Sequence, residues 1–194
     1  VAAEKSFVPD SPPGDMVEIR MAIAPDGTVY FNGNTAICTS IDGGRSWTSS
    51  PRGTGPAGEK ISGTFQILGD GTFVCVRKKY GSERSESVPI WASADEGRTW
   101  QILSHIEVPE EDFKRWTIFG LFRLPDDTLL CVIVARNMVA GEGWTWISDK
   151  HHLVLYRSTD KGRSWEGPRP VGDWYHEGGI VQLPSGKLLA VLRY

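Results

Sequence analysis

Short apolar runs, each closed by a polar turn signal, organise this chain from Val17 onward. One signal recurs four times: APDGTVYF at 24–31, LGDGTFVC at 68–75, LPDDTLLC at 124–131 and LPSGKLLA at 183–190. In every copy an apolar stretch precedes the turn and another follows it. An Asp-Gly or Ser-Gly pair between such stretches is hairpin chemistry, because glycine accepts the positive φ that a tight turn demands. Asp127 stands in place of that glycine in the third copy, and aspartate tolerates the conformation better than most residues. A second signal alternates with the first: SIDGGRSW at 40–47, SADEGRTW at 93–100 and STDKGRSW at 158–165. Together they predict a repeating unit of strand, hairpin turn, strand, variable loop, strand, eight-residue turn, strand. The first unit takes strands over 17–24, 28–31 and 35–40 and from Ser46. The second takes 61–68, 72–77, 89–93 and 99–103. The third takes 116–124, 128–135 and 152–158 and from Ser164, and a fourth unit begins with 178–183 and 187–193.

Four antiparallel strands per unit, arranged radially, make the blade of a β-propeller. The eight-residue turn then reads as structural. Its aspartate accepts hydrogen bonds from the N–H groups of its own turn. Its glycine supplies the unusual φ, and its tryptophan packs over the hairpin. Burying such a ring stabilises by roughly 4–6 kcal/mol as an upper bound, at about 25 cal/mol per Å². Asp42, Gly44 and Trp47, Asp95, Gly97 and Trp100, and Asp160, Gly162 and Trp165 are therefore assigned to the scaffold. Calcium binding is the competing use, but each turn offers one regularly placed acidic side chain, too few hard ligands.

Composition narrows the function class. A net charge of -3 over 194 residues is too mild for a nucleic-acid partner or an anionic membrane surface. No apolar run approaches the ~18 residues of a membrane span. The 22 glycines, 12 prolines and 8 tryptophans fit many short strands and many turns. Cys75 and Cys131 occupy the same place in two repeated strands, so they and Cys38 read as small buried side chains rather than as a disulfide or a metal site. His151 and His152 are neighbours in a predicted strand and point to opposite faces, so they do not share an ion. No metal and no cofactor is predicted.

The three eight-residue turns are Asp-boxes, and with their matching hairpins they resemble the sialidase (BNR-repeat) superfamily over nearly all of the chain from Val17. The resemblance implies an all-β, six-bladed β-propeller of which this chain supplies about three and a half four-stranded blades. Residues 1–15 are then an entry linker or a closing strand, and 16–194 a partial propeller with blades at roughly 16–53, 54–108, 109–173 and 174–194. Since three and a half blades leave open edges, the chain is expected to be the N-terminal part of a longer protein that carries the remaining blades. The resemblance also implies a secreted or periplasmic location.

Blade topology puts the hairpin turns and the Asp-boxes on one face of the disc. First-strand starts and second-strand ends converge on the other. Second-strand ends carry Arg77, Arg136 and Arg193; the start of the first strand in blade one carries Arg20. The segment YHEGGIVQLPSGKLLAVLR (175–193) is similar to the sialidase segment in which a glutamate opens an inner strand and an arginine ends the next. By that resemblance Glu177 is the base that activates a tyrosine nucleophile, and Arg193 is one of three arginines that grip the substrate carboxylate. Sialic acid carries its carboxylate on the anomeric carbon, so a neutral tyrosine is a better nucleophile there than a carboxylate. A guanidinium fork binds a carboxylate bidentately. Trp174 and Tyr175 are placed as pocket walls. Trp144 and Trp146, at alternate positions of a long loop, suit either sugar stacking or a satellite cluster over the blade.

Two departures from the family pattern stand out. Around Arg20 the sequence is EIRMA (18–22), without the family's proline. The connection Asn32–Gly33–Asn34 holds no aspartate for the family's acid/base role. Two functions therefore remain open. One is a sialidase-like glycoside hydrolase acting on sialic-acid-type or other acidic glycans; the other is a non-catalytic Asp-box propeller that binds glycans or protein partners.

Overall fold

Hairpin turns rich in glycine and aspartate fold this chain into consecutive antiparallel meanders. The computed structural model describes residues 21–33, 36–61, 63–77, 87–108, 115–136, 151–173 and 177–193, with backbone alone at 77, 115–117, 135, 136, 151, 152, 173, 177, 178 and 193. The first sheet joins β1 (Met21–Ile23), β2 (Val29–Asn32), β3 (Ala36–Ser40) and β4 (Thr48–Pro51). The second joins β5 (Gly63–Ile67), β6 (Phe73–Arg77), β7 (Ser87–Ser93) and β8 (Gln101–Glu107). The third joins β9 (Arg115–Arg123), β10 (Leu129–Arg136), β11 (His151–Ser158) and β12 (Glu166–Asp173). A two-stranded sheet of β13 (Glu177–Gln182) and β14 (Leu188–Arg193) follows. The fold is all-β, in four-stranded antiparallel blades.

Each hairpin turn closes the same way. Ala24 N–H donates to the Thr28 carbonyl at 2.8 Å, and Gly27 N–H donates to the Ala24 carbonyl at 2.9 Å. The same pair of bonds recurs at Leu68–Thr72, Leu124–Thr128 and Leu183–Lys187. Asp127 has φ 63°, the left-handed conformation held by glycine in the other three copies.

The last strand of each full blade starts two residues later than the sequence pattern predicts, at Thr48, Gln101 and Glu166. The cause is local competition. The N–H and hydroxyl of Ser46, Thr99 and Ser164 are engaged by the Asp-box carboxylate instead of a neighbouring strand.

The cores lie between blades. In β10, Leu129, Cys131 and Ile133 join Val74, Val76, Val88 and Ile90 of the second blade. The alternate residues Leu130, Val132 and Val134 join Phe119, Phe122 and Leu153, with Ile180 and Leu192 of β13 and β14 packed against them. A third cluster sets Ala22 of β1 against Phe65, Ile67, Phe73, Trp91 and Trp100. Period-two alternation thus sends apolar side chains to both faces of the middle strands, each face against a different neighbour. Polar bonds tie successive blades through β2, β5 and β9. Asn32 Nδ2 donates to the Gly63 carbonyl, Leu121 N–H to Thr64 Oγ1, and Gln66 Nε2 to the Leu121 carbonyl. The cysteine side chains are buried in β3, β6 and β10, and burial alone pushes the Cys131 thiol far above its usual range.

Candidate functional site

The Asp-box carboxylates are consumed by their own turns. Asp95 Oδ1 accepts the Ser93 hydroxyl at 2.7 Å and the Thr99 N–H at 2.8 Å; Oδ2 accepts the Thr99 hydroxyl at 2.7 Å. Ser93 Oγ in turn accepts the Gly97 N–H at 2.8 Å. The same four bonds form around Asp42 and around Asp160, at 2.6–2.9 Å. Burial pushes the Asp95 carboxyl up, but the Thr99 N–H and the Ser93 and Thr99 hydroxyls outweigh it and hold it down at about 2. Asp160 stands at about 2 by the same balance, burial against the Ser164 and Ser158 donors. Donation from Ser46, hydroxyl and N–H, holds Asp42 well below the usual carboxylate range. Such groups stay ionised at neutral pH and are poor proton carriers.

The turn-bearing end of the blades is marked by an ion cluster. Lys161 of the third Asp-box reaches Asp70 Oδ2 at 2.7 Å and Asp127 Oδ2 at 3.7 Å, and these belong to the hairpin turns of blades two and three. The opposite strand ends carry the predicted chemistry. Register sets Arg77 against Gly63, Arg136 against Arg115, and Glu177 against Arg193. The last pair closes the β13–β14 ladder at the end away from its turn, where Gln182 faces Leu188. The backbone thus brings Glu177 and Arg193 directly opposite each other. Arg77, Arg136 and Arg193 are each the last residue of a second strand. Arg20, Trp174, Tyr175, Trp144 and Trp146 lie outside the described residues.

Blade one departs from this pattern, and there a sequence reading passes over a residue. The last residue of β2 is Asn32, not an arginine. Its side chain is buried, its Nδ2 donates to the Gly63 carbonyl at 3.4 Å, and its Oδ1 has no hydrogen-bond partner among the described residues. The signal is visible in retrospect: a polar residue ends an otherwise apolar second strand at the address held by arginine in the other three blades. The connection from β2 to β3 spans only Gly33 to Thr35. Among the described residues no group of three or more His, Cys, Asp or Glu side chains is placed to hold a metal ion, and no helix is long and apolar enough to cross a membrane.

No protein-family model matches the sequence, and no curated protein matches it. Solved structures do. The α-L-arabinofuranosidase of Fusarium graminearum superposes with a TM-score of 0.63 at 18% identity, over 97% of this chain and 59% of that one. A Hadza microbial sialidase gives 0.60 at 16% identity, over 89% and 41%. The Trypanosoma rangeli sialidase, in complex with 2,3-difluorosialic acid, gives 0.53 at 12% identity, over 98% and 37%. The chain spans less than two thirds of each of these relatives. It has the fold of the Asp-box β-propellers, the architecture shared by sialidases and arabinofuranosidases.

Proposed function

We propose that this chain contributes part of the active site of a sialidase-like glycoside hydrolase acting on sialic-acid-type or other acidic glycans, within a longer polypeptide that carries the remaining blades. The observation that carries the reading is the register of Glu177 against Arg193 at the strand ends remote from the turns. In this reading Glu177 takes the phenolic proton of a tyrosine on a later blade. The phenolate oxygen bonds to the anomeric carbon as the bond to the leaving oxygen breaks, and a proton donor outside the assigned residues protonates that oxygen. Arg193, with Arg20, Arg77 and Arg136 as further contributors, grips the substrate carboxylate, and Trp174 and Tyr175 wall the pocket.

The test is hydrolysis of a fluorogenic sialoside by the full-length polypeptide. Glu177→Gln is expected to lower kcat/KM by roughly 10²–10⁴-fold, the usual worth of a positioned base. Arg193→Ala is expected to lose on the order of 10²-fold through a lost charge-assisted fork. Activity that survives both changes removes these residues from the mechanism. A neutral arabinofuranoside in the same assay separates the substrate classes: turnover of that substrate alone, indifferent to Arg193, rejects an acidic sugar. The second reading, a non-catalytic propeller that binds glycans or proteins, is favoured by the short connection between β2 and β3. It predicts saturable glycan binding without turnover.

A further inference from the structure

Five arginines lie on the strands of blade three, and they are of two kinds. Arg123 of β9 places Nε 2.6 Å from Asp127 Oδ1, and Arg169 of β12 places Nη2 3.6 Å from Glu166 Oε2. Arg157 of β11 stands opposite Glu166 in the ladder. Each of these three has a carboxylate beside it or across from it. Arg115 and Arg136 stand instead directly opposite each other, and His151 stands opposite Arg136 on its other side. One register row across β9, β10 and β11 is therefore Arg115–Arg136–His151, at the end of the sheet remote from its hairpin turn. Neighbouring strands lie about 4.8 Å apart, and like charges directly opposite each other are destabilising. Natural sequences break such a pairing rule chiefly at functional sites.

Strand alternation fixes the face on which this row lies. On β10 it continues the positions of Leu130, Val132 and Val134, and on β11 those of Leu153 and Leu155. These residues pack toward Ile180 and Leu192 of blade four. Val134 and Leu153, the preceding row on that face, are buried. The cationic row thus borders a dry core, where repulsion between charges is stronger than in water. The strands of the sheet carry two carboxylates. Glu166 lies at the turn end, and Asp173 lies opposite His152, on the other face. In blade four, Glu177 and Arg193 are at odd separations from Ile180 and Leu192, so positions 177 and 193 lie on the face of β13–β14 away from blade three. The hairpin that carries the Glu177–Arg193 pair therefore stands between that pair and the row.

We infer that the row Arg115–Arg136–His151 is a second oxyanion site, which takes a sulfate ester or a second carboxylate of the glycan rather than the carboxylate on its anomeric carbon. The inference rests on the reading of a hydrolase for acidic glycans. It narrows the part of Arg136 in that reading, from a contributor at the anomeric carboxylate to the centre of this row. Two guanidinium groups on neighbouring strands suit the oxygens of a single oxyanion, and an imidazole N–H adds a further donor. A bound oxyanion replaces repulsion along the row by charge-assisted hydrogen bonds. A glycan with two anionic groups is then held at both places, and one with a single carboxylate at Arg193 alone.

Two measurements on the natural full-length polypeptide test this. The first is stability in millimolar inorganic sulfate, too dilute for general salting effects, against chloride at equal ionic strength. Sulfate is expected to raise the denaturation midpoint of the native protein saturably and to leave that of Arg115→Gln unmoved. Without sulfate, Arg115→Gln is expected to be no less stable than the native protein, because it removes a like-charge contact. An arginine that merely holds the sheet together predicts a loss. The second measurement is turnover of sialosides. KM for a sialoside that also bears a sulfate ester, or for a disialylated one, is expected to lie about tenfold below that of the plain sialoside. Which of the two gains identifies the group as a sulfate ester or a second carboxylate. The ratio should approach one in Arg115→Gln and in His151→Gln. A variant that is the less stable without sulfate, sulfate that stabilises native protein and variant alike, or KM values indifferent to both added groups overturns the inference. Sulfate stabilisation that needs Arg115, in a polypeptide that turns over no acidic glycoside, keeps the oxyanion site and overturns the hydrolase reading instead.

Discussion

Asp95 is engaged on both carboxylate oxygens by three donors of its own turn. Asp95→Ala leaves those donors without their acceptor and is expected to cost roughly 1.5–3 kcal/mol, the range for hydrogen bonds to a charged group. Asp95→Asn keeps one acceptor oxygen and is expected to cost about 1 kcal/mol less than alanine, as read from chemical-denaturation midpoints. The sign of the pH dependence follows from the direction of the shift. Folding lowers the carboxyl of Asp95 to about 2, as it does that of Asp160. Their stabilisation is therefore complete above the unfolded value of about 4 and is lost as pH falls toward 2. Denaturation midpoints should drop over that window in the native chain and drop less in Asp95→Asn. These aspartates were legible because Ser, Asp, Gly, Ser/Thr and Trp recur in fixed order. The burial of each tryptophan was not, because it depends on the neighbouring blade. Trp100 is 3% exposed, whereas Trp47 and Trp165 are half-buried. Trp100→Ala should accordingly cost about 3–5 kcal/mol, more than Trp47→Ala measured in the same chain.

At the scale of the element, the third hairpin turn is the instructive one. Asp127 looks like a tolerated replacement for glycine, and its φ of 63° agrees with that. Its side chain also has a long-range task. Oδ1 accepts the Gly69 N–H of the neighbouring blade at 2.8 Å and Arg123 Nε at 2.6 Å, while Oδ2 lies 3.7 Å from Lys161. Two effects therefore oppose each other in Asp127→Gly. The left-handed backbone is relieved by about 1 kcal/mol, and charge-assisted bonds worth roughly 1.5–3 kcal/mol to a half-buried guanidinium and an N–H are lost. The loss is the larger, so the variant should be less stable by about 1 kcal/mol although it restores the consensus turn. A higher denaturation midpoint would show that the turn, not the bridge, governs this position. Turn chemistry made the hairpins readable because it is local. The bridge joins residues 58 apart, and no periodicity within one repeat encodes it.

For the whole molecule, the decisive property is that the middle strands are apolar on both faces. The run Leu129–Val134 supplies two interfaces at once, one to each neighbouring blade. This is why radial packing, rather than one sheet over one core, accommodates the sequence. It also explains what was legible of the candidate site. The two strands that carry Glu177 and Arg193 are local products of one hairpin, so their pairing follows from the turn at Ser185–Gly186. Whether Arg77 and Arg136 approach that pair depends on how successive blades rotate about an axis, which inter-blade packing decides and no single repeat specifies. The same asymmetry of packing orders local stability. Blade two is covered on both sides, and β10 sends residues into two clusters. Among the described residues the β13–β14 hairpin packs on blade three through Ile180 and Leu192, and its other face is exposed at Val181, Leu189 and Val191. Native-state amide exchange in the 194-residue chain should therefore release β13 and β14 by local opening, several kcal/mol below the global limit. The amides of β6 and β10 should exchange only through global unfolding. Equal protection of β10 and β14 would mean that the blades unfold as one unit, with inter-blade packing no weaker at the open end than in the middle.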